Sequence, residues 1–171
     1  MDLTITSLQQ AYAANTLSPV DVVTEVARRV AAHALQDTAV WIDTVPPAAL
    51  LARAAELVRQ RAQLEAAGRP LPALWGVPFS AKNNMDVRGM RTTAGCRDFG
   101  YVAERTAVAV QRCLDAGGVL VGTTNLDQFA TGLVGQRSDF GNPRCALDAD
   151  YVAGGSSSGS AVSVAAELVA L

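Results

Sequence analysis

The spacing of hydrophobic residues changes about two fifths of the way along the chain. Up to residue 70 they recur every three or four positions, which is the period of a helix with one buried face. Ser18-Pro19 is typical of a helix start, with serine as the N-cap and proline in the first turn. The pattern predicts a short helix over residues 7–15, a helix from Ser18 that ends near His33, a strand over 40–43 and a long helix over 48–67.

Beyond residue 70, short apolar runs alternate with turns rich in Gly, Thr and Ser. These runs predict strands over residues 77–81 and 119–122, and helices over 106–116, 127–131 and 160–171, the last reaching the final residue. Residues 135–150 are expected to form a loop. The alternation of helix and strand is typical of an α/β fold. We therefore predict an N-terminal helical region over 1–70 and part of an α/β core over 71–171.

Composition and charge exclude several classes of protein. The chain has 171 residues, of which 50% are hydrophobic and 18% charged, so a folded domain is expected. A net charge of −2 gives no basic surface for a nucleic acid or an anionic membrane. His33 is the only histidine, and the three cysteines form no Cys-x-x-Cys pair, which argues against a metal site. Without a signal peptide or a membrane span, reduced thiols in the cytoplasm are expected (Cys96, Cys113 and Cys145).

One lysine stands out among the basic residues. Of the 14 lysines and arginines, only Lys82 is a lysine, and it follows a predicted buried strand. A desolvated lysine has a lowered pKa and can act as a general base, which arginine cannot. A surface lysine on a loop is the alternative interpretation.

Two polar segments could accompany this lysine. Gly154–Ser160 is a Gly/Ser run before a helix, so it presents backbone N–H groups and hydroxyls that suit a phosphate or an oxyanion, unless it is a flexible linker. It lacks the Lys-Ser/Thr of a P-loop. Residues 122–133 suit a wall that recognises a small amide, or they form a structural turn. Lys82 and the serines together suggest a hydrolase with lysine in the place of histidine.

From residue 74 onward the chain resembles the amidase signature family. Four segments carry the resemblance in the family's order and spacing: GVPFSAKNN (76–84), TTAGC (92–96), AGGVLVGTTNLDQF (116–129) and GGSSSGSA (154–161). The resemblance implies an α/β fold with a mixed β-sheet flanked by helices, of which only the N-terminal part is present. Within the family, residues 125–135 and the serines 156–158 most resemble the allophanate hydrolases, which convert allophanate to ammonia and carbon dioxide.

The resemblance also implies a site. The family uses a Ser–cis-Ser–Lys triad, in which Lys82 would be the base. Ser156, joined to Gly155 by a cis peptide bond, would pass a proton between the nucleophile and the lysine. Thr131 and Gly132 would lie along the wall of the substrate pocket. No metal or organic cofactor is implied, and the substrate would be a small amide such as allophanate.

The chain also departs from the family's pattern. The family's nucleophile lies in a second Gly/Ser segment that would fall past Leu171, so we expect the 171-residue chain alone to be inactive. Asn83 stands where the family usually has an acidic residue. Two alternatives stay open: a general amidase or the amidase subunit of the tRNA-dependent amidotransferase, which usually has Met-Gly-Ser where this chain has residues 131–133, and a non-catalytic module. A homodimer and a functional link to urea carboxylase are compatible with the leading interpretation.

Overall fold

The computed structural model describes all 171 residues, and five helices account for much of the chain. Three lie in the N-terminal region and two flank the later strands: Ile5–Ala13 (α1), Pro19–His33 (α2), Pro47–Ala66 (α3), Val108–Asp115 (α4) and Ser158–Ala165 (α5). Ser18 caps α2 as expected, because its Oγ accepts from the Asp21 N–H at 3.3 Å and the Asp21 carboxylate accepts from the Ser18 N–H at 2.8 Å. None of the helices is long and apolar enough to cross a lipid bilayer.

The strands form a mixed three-stranded sheet and a separate two-stranded hairpin. They are Trp41–Thr44 (β1), Pro78–Lys82 (β2), Arg91–Thr92 (β3), Tyr101–Val102 (β4) and Val119–Thr124 (β5). In the sheet the order is β1-β5-β2, with β5 antiparallel to β1 and parallel to β2. Since β2 and β5 run in the same direction, Lys82 and Thr124 end side by side at one edge of the sheet.

The main core lies between the N-terminal helices and β5. Leu8 and Tyr12 of α1, Val22 of α2 and Leu57 of α3 are buried in one cluster with Val121 of β5. All six residues of β5 are buried, as expected for a central strand covered on both faces. The strand β1 lies within residues 1–70 but pairs with β5 of the later region. The division of the chain into two regions at residue 70 stays a prediction.

The predicted helix over residues 160–171 is wrong in its second half. The helix α5 ends at Ala165, and Glu167 has a φ of 53° that turns the chain. The Ala170 N–H then donates to the Pro78 carbonyl at 3.0 Å, and the Ser80 N–H donates to the Leu171 carbonyl at 2.8 Å. The last residues therefore lie alongside β2, with Leu168 and Val169 buried, and do not continue the helix.

The helix predicted over residues 127–131 is only a single 3-10 turn, Gln128–Ala130. Phe129 and Ala130 have φ of 52° and 59°, which no right-handed helix allows. Their neighbourhood explains this, because the Gln128 N–H donates to the Arg137 carbonyl and the Phe129 N–H donates to the Ala94 carbonyl. Tertiary hydrogen bonds thus hold residues 128 and 129 in a backbone conformation that cannot continue as a right-handed helix.

Candidate active site

Lys82 contacts two serines of the Gly/Ser loop. It is the last residue of β2, and its Nζ lies 2.6 Å from the Ser156 Oγ and 3.0 Å from the Ser157 Oγ. The contact between Lys82 and Ser156 joins two residues that are 74 positions apart in the sequence. Ser157 was not anticipated as a partner of the lysine, because only the first serine of the run matches the bridging position of the family.

Backbone hydrogen bonds attach the Gly/Ser loop to the residues that follow β5. The Asp127 N–H donates to the Ser156 carbonyl at 3.0 Å, and the Gly159 N–H donates to the Asn125 carbonyl at 3.0 Å. A Cβ at Gly159 would overlap the Val40 carbonyl oxygen and lie 2.6 Å from the Asn125 nitrogen, so only glycine allows this approach. The peptide bond between Gly155 and Ser156 is cis.

A buried carboxylate lies directly behind this loop. Asp127 is fully buried, and its two carboxylate oxygens accept from the Gly135 N–H at 3.0 Å and from the Arg137 N–H at 2.9 Å. A Cβ at Gly132 or Gly155 would overlap this carboxylate, so two glycines make room for it. In the sequence, Asp127 lies in the polar segment over residues 122–133 and has no predicted role of its own; the acidic residue in Asn-Leu-Asp-Gln-Phe is the signal that points to it.

Two opposing effects act on the Lys82 amine. Burial removes water from the ammonium and lowers the pKa of Lys82 below its ordinary value of 10.5, while the negative charge of Asp127 raises it in part. The net direction is downward, so the neutral amine is reached at a lower pH than for a lysine in water. A neutral amine has a lone pair that can take a proton from the Ser156 hydroxyl.

A direct titration checks this direction. Because Lys82 is the only lysine, 13C-labelled lysine gives a single Cε resonance whose pH dependence reports this amine alone. We expect a midpoint below 10.5, and a still lower midpoint in Asp127→Asn, which removes the stabilising negative charge. The control is Asp98→Asn, an exposed carboxylate with no side-chain hydrogen bond, which should leave the midpoint unchanged. A midpoint at or above 10.5 in the unmodified chain would contradict the desolvation of Lys82.

Thr131 and Gly132 lie on the loop that the Asp127 carboxylate braces. The Thr131 Oγ1 donates to the Gln128 carbonyl at 2.7 Å, and the residue is exposed. Gly132 packs against the Asp127 side chain. Both residues are therefore close in sequence to Asp127, whose charge raises the pKa of Lys82. Their contact with a substrate stays a prediction.

The Asn83 side chain does not contact Lys82; it connects the end of β2 with β3 and β5. Its buried Nδ2 donates to the Arg91 carbonyl at 2.9 Å and to the Thr123 Oγ1 at 2.8 Å. Its Oδ1 accepts from the N–H and the hydroxyl of Thr93, both at 2.7 Å. A carboxylate here could not donate to the Arg91 carbonyl, which gives a physical reason for an amide at this position.

The other candidate groups lie apart from this site. His33 is the last residue of α2, as the helical pattern predicted. The three cysteines are free thiols, and no three side chains of His, Cys, Asp or Glu are grouped so that they could share a metal ion.

A protein-family model described as Amidase matches residues 21–171. The chain belongs to the amidase family. The fold agrees: the allophanate hydrolase of Kluyveromyces lactis superposes with a TM-score of 0.79 at 34% identity, covering 97% of this chain and 26% of that one. The α/β class and the partial extent of the family's fold are therefore confirmed.

Relatives from two branches of the family resemble the chain. Urea amidolyase of Saccharomyces cerevisiae is 51% identical over 96 residues, which are 56% of this chain and 5% of that protein. A glutamyl-tRNA(Gln) amidotransferase subunit of Deinococcus deserti is 38% identical over 169 residues, which are 98% of this chain and 33% of that protein. The chain thus spans a third or less of the length of these relatives. Its likeness to allophanate hydrolase and urea amidolyase supports the resemblance found within the family.

Proposed function

We propose that these residues form part of an amidohydrolase that acts on allophanate through a Ser–cis-Ser–Lys triad. The observation that carries the proposal is the 2.6 Å contact between the Lys82 Nζ and the Ser156 Oγ at the carboxyl end of β2. Lys82 is the general base and Ser156 the bridging hydroxyl. In this proposal the nucleophilic serine and the oxyanion hole come from a segment outside residues 1–171, and we expect residues 1–171 alone to be inactive.

The contact supports a definite sequence of proton transfers. As the nucleophilic serine attacks the amide carbonyl, its proton passes to the Ser156 oxygen while the Ser156 proton passes to the neutral Lys82 amine. When the carbon–nitrogen bond breaks, the same path returns a proton to the departing nitrogen, and ammonia leaves. Water then cleaves the acyl-serine by the same relay. Every step uses hydroxyls, an amine and backbone N–H groups, so no cofactor is required.

Further parts of the proposal rest on the relatives. We place Thr131 and Gly132 on the wall of the substrate pocket and the protein in the cytoplasm. The likeness to proteins named urea amidolyase supports a functional link to the carboxylation of urea, which supplies allophanate. A homodimer is compatible with this proposal.

The test is ammonia release from a longer chain that contains residues 1–171 and a downstream Gly/Ser segment. We expect release from allophanate, little from glutamine or simple amides such as propionamide, and none from residues 1–171 alone. Activity on other amides without activity on allophanate would refute the substrate. Hydrolysis of allophanate by the 171-residue chain would refute the external nucleophile.

The amidotransferase subunit is the second candidate, because the Deinococcus deserti protein aligns with 98% of this chain. Thr131-Gly132-Leu133 in the place of Met-Gly-Ser argues against it. The glutamine arm of the same assay separates the two, since that subunit would release ammonia from glutamine.

A further inference from the structure

Three charged side chains without charged partners line one cavity, to which β1 and the β3–β4 hairpin both contribute residues. The cavity has a volume of about 370 Å³ and is lined by Ile42, Asp43, Arg91, Thr93, Arg97 and Phe140. This volume lies at the lower end of the range for small-molecule sites. It fits a ligand of few heavy atoms.

The two guanidinium groups are held in place by neutral contacts. An Nη atom of Arg91 donates to the Arg97 carbonyl at 3.1 Å, and the Arg97 Nε donates to the Asp139 carbonyl at 3.2 Å. The Arg97 guanidinium also lies 4.4 Å from the centre of the Phe140 ring. Holding the guanidinium groups in this way reduces the conformational entropy that a ligand would otherwise have to remove.

The guanidinium groups keep N–H donors without protein partners. Neither Arg91 nor Arg97 takes part in any of the ion pairs of the chain, and both Nη atoms of Arg97 lack a hydrogen-bond acceptor. The nearby Asp139 carboxylate is already used, because it accepts from the Arg97 backbone N–H and from the Gln128 Nε2. A carboxylate is the group whose geometry matches such free guanidinium N–H groups.

Asp43 adds the opposite charge to the same cavity. It belongs to β1, is half-buried, and its side chain makes no hydrogen bond and no ion pair. It lies too far from Arg91 and Arg97 for an ion pair within 4.0 Å. A free carboxylate and the guanidinium groups of two exposed arginines that line the same cavity suit a molecule with an acceptor at one end and donors at the other.

We propose that this cavity binds a small carboxylate that also carries N–H donors, such as a ureido or amino acid. The carboxylate of the ligand would be bound by Arg91 and Arg97, and its N–H groups by Asp43. The site is separate from the contact between Lys82 and Ser156, although Thr93 lines the cavity and hydrogen-bonds Asn83, the neighbour of Lys82. The proposal does not depend on the amidase reaction.

Calorimetric titration of the 171-residue chain with N-carbamoylglycine tests the site without using activity. We expect Arg97→Gln and Asp43→Asn each to weaken binding about tenfold or more, since each removes charge-assisted hydrogen bonds. The control Arg88→Gln changes an exposed arginine outside the cavity and should leave affinity unchanged. Acetate and urea, which each carry one half of the ligand's chemistry, should bind at least about tenfold more weakly.

The position of the site is checked independently of the variants. In the unmodified chain, the backbone amide resonances of Ile42 and Arg97 should shift on addition of N-carbamoylglycine. The absence of binding at millimolar concentrations, or shifts confined to other residues, would overturn the proposal. Acetate binding as tightly as N-carbamoylglycine would also overturn it, because Asp43 would then have no role.

Discussion

Replacing Lys82 with arginine is expected to lower ammonia release from allophanate at least about a hundredfold in a longer chain that carries the nucleophile, which is the usual contribution of a general base. A guanidinium group stays charged at every pH at which the protein is folded, so it has no lone pair to accept the proton from Ser156. The turnover number at saturating allophanate is the quantity to measure.

The control for this substitution replaces an arginine with a lysine. Arg88→Lys alters an exposed side chain without a hydrogen bond and should leave turnover unchanged. Thermal unfolding of Lys82→Arg shows whether the fold is retained. Turnover close to that of the unmodified chain in a folded Lys82→Arg protein would refute the role of Lys82 as the base.

Replacing Asn125 with alanine is expected to lower the free energy of unfolding by about 3 kcal/mol or more, because two buried and two part-buried polar groups lose their side-chain partner. Asn125 is fully buried, and its Nδ2 donates to the Ala39 and Gly141 carbonyls, each at 2.9 Å. Its Oδ1 accepts from the Leu126 N–H at 2.8 Å and from the Ser138 hydroxyl. Urea unfolding of the 171-residue chain measures the loss.

The matched control is Asn84→Ala. Asn84 is exposed and its side chain makes no hydrogen bond, so its removal should change the free energy of unfolding by no more than about 0.5 kcal/mol. A loss below about 1 kcal/mol for Asn125→Ala would mean that water replaces the amide, and the four contacts would then contribute little.

The sequence predicts the parts of this molecule that local signals control. The cap of α2 at Ser18 and the strand that ends at Lys82 follow from residue types and spacing that act within a few positions. The contact between Lys82 and Ser156 could be predicted only from the resemblance to the family's motifs. No local residue pattern indicates that these two residues come together.

The parts of the structure that the sequence does not predict depend on contacts between distant segments. The end of α5 could not be read from an apolar run, because burial beside β2 and burial in a helix need the same residues. The same holds for the turn at Phe129, whose backbone partner lies 35 residues earlier at Ala94. The cavity lined by Asp43 and Arg97 likewise combines residues of β1 and of the β3–β4 hairpin, which are distant in the sequence.

The strand β1 has a practical consequence for anyone who expresses part of this protein. It occupies the edge of β5, while α1, α2 and α3 cover Val119 and Val121 on one face of that strand. A chain that starts after residue 70 would expose both an unpaired strand edge and an apolar face, which is the combination that promotes aggregation. Fragments intended for crystallisation or labelling should therefore keep the first 70 residues with the sheet that they shield.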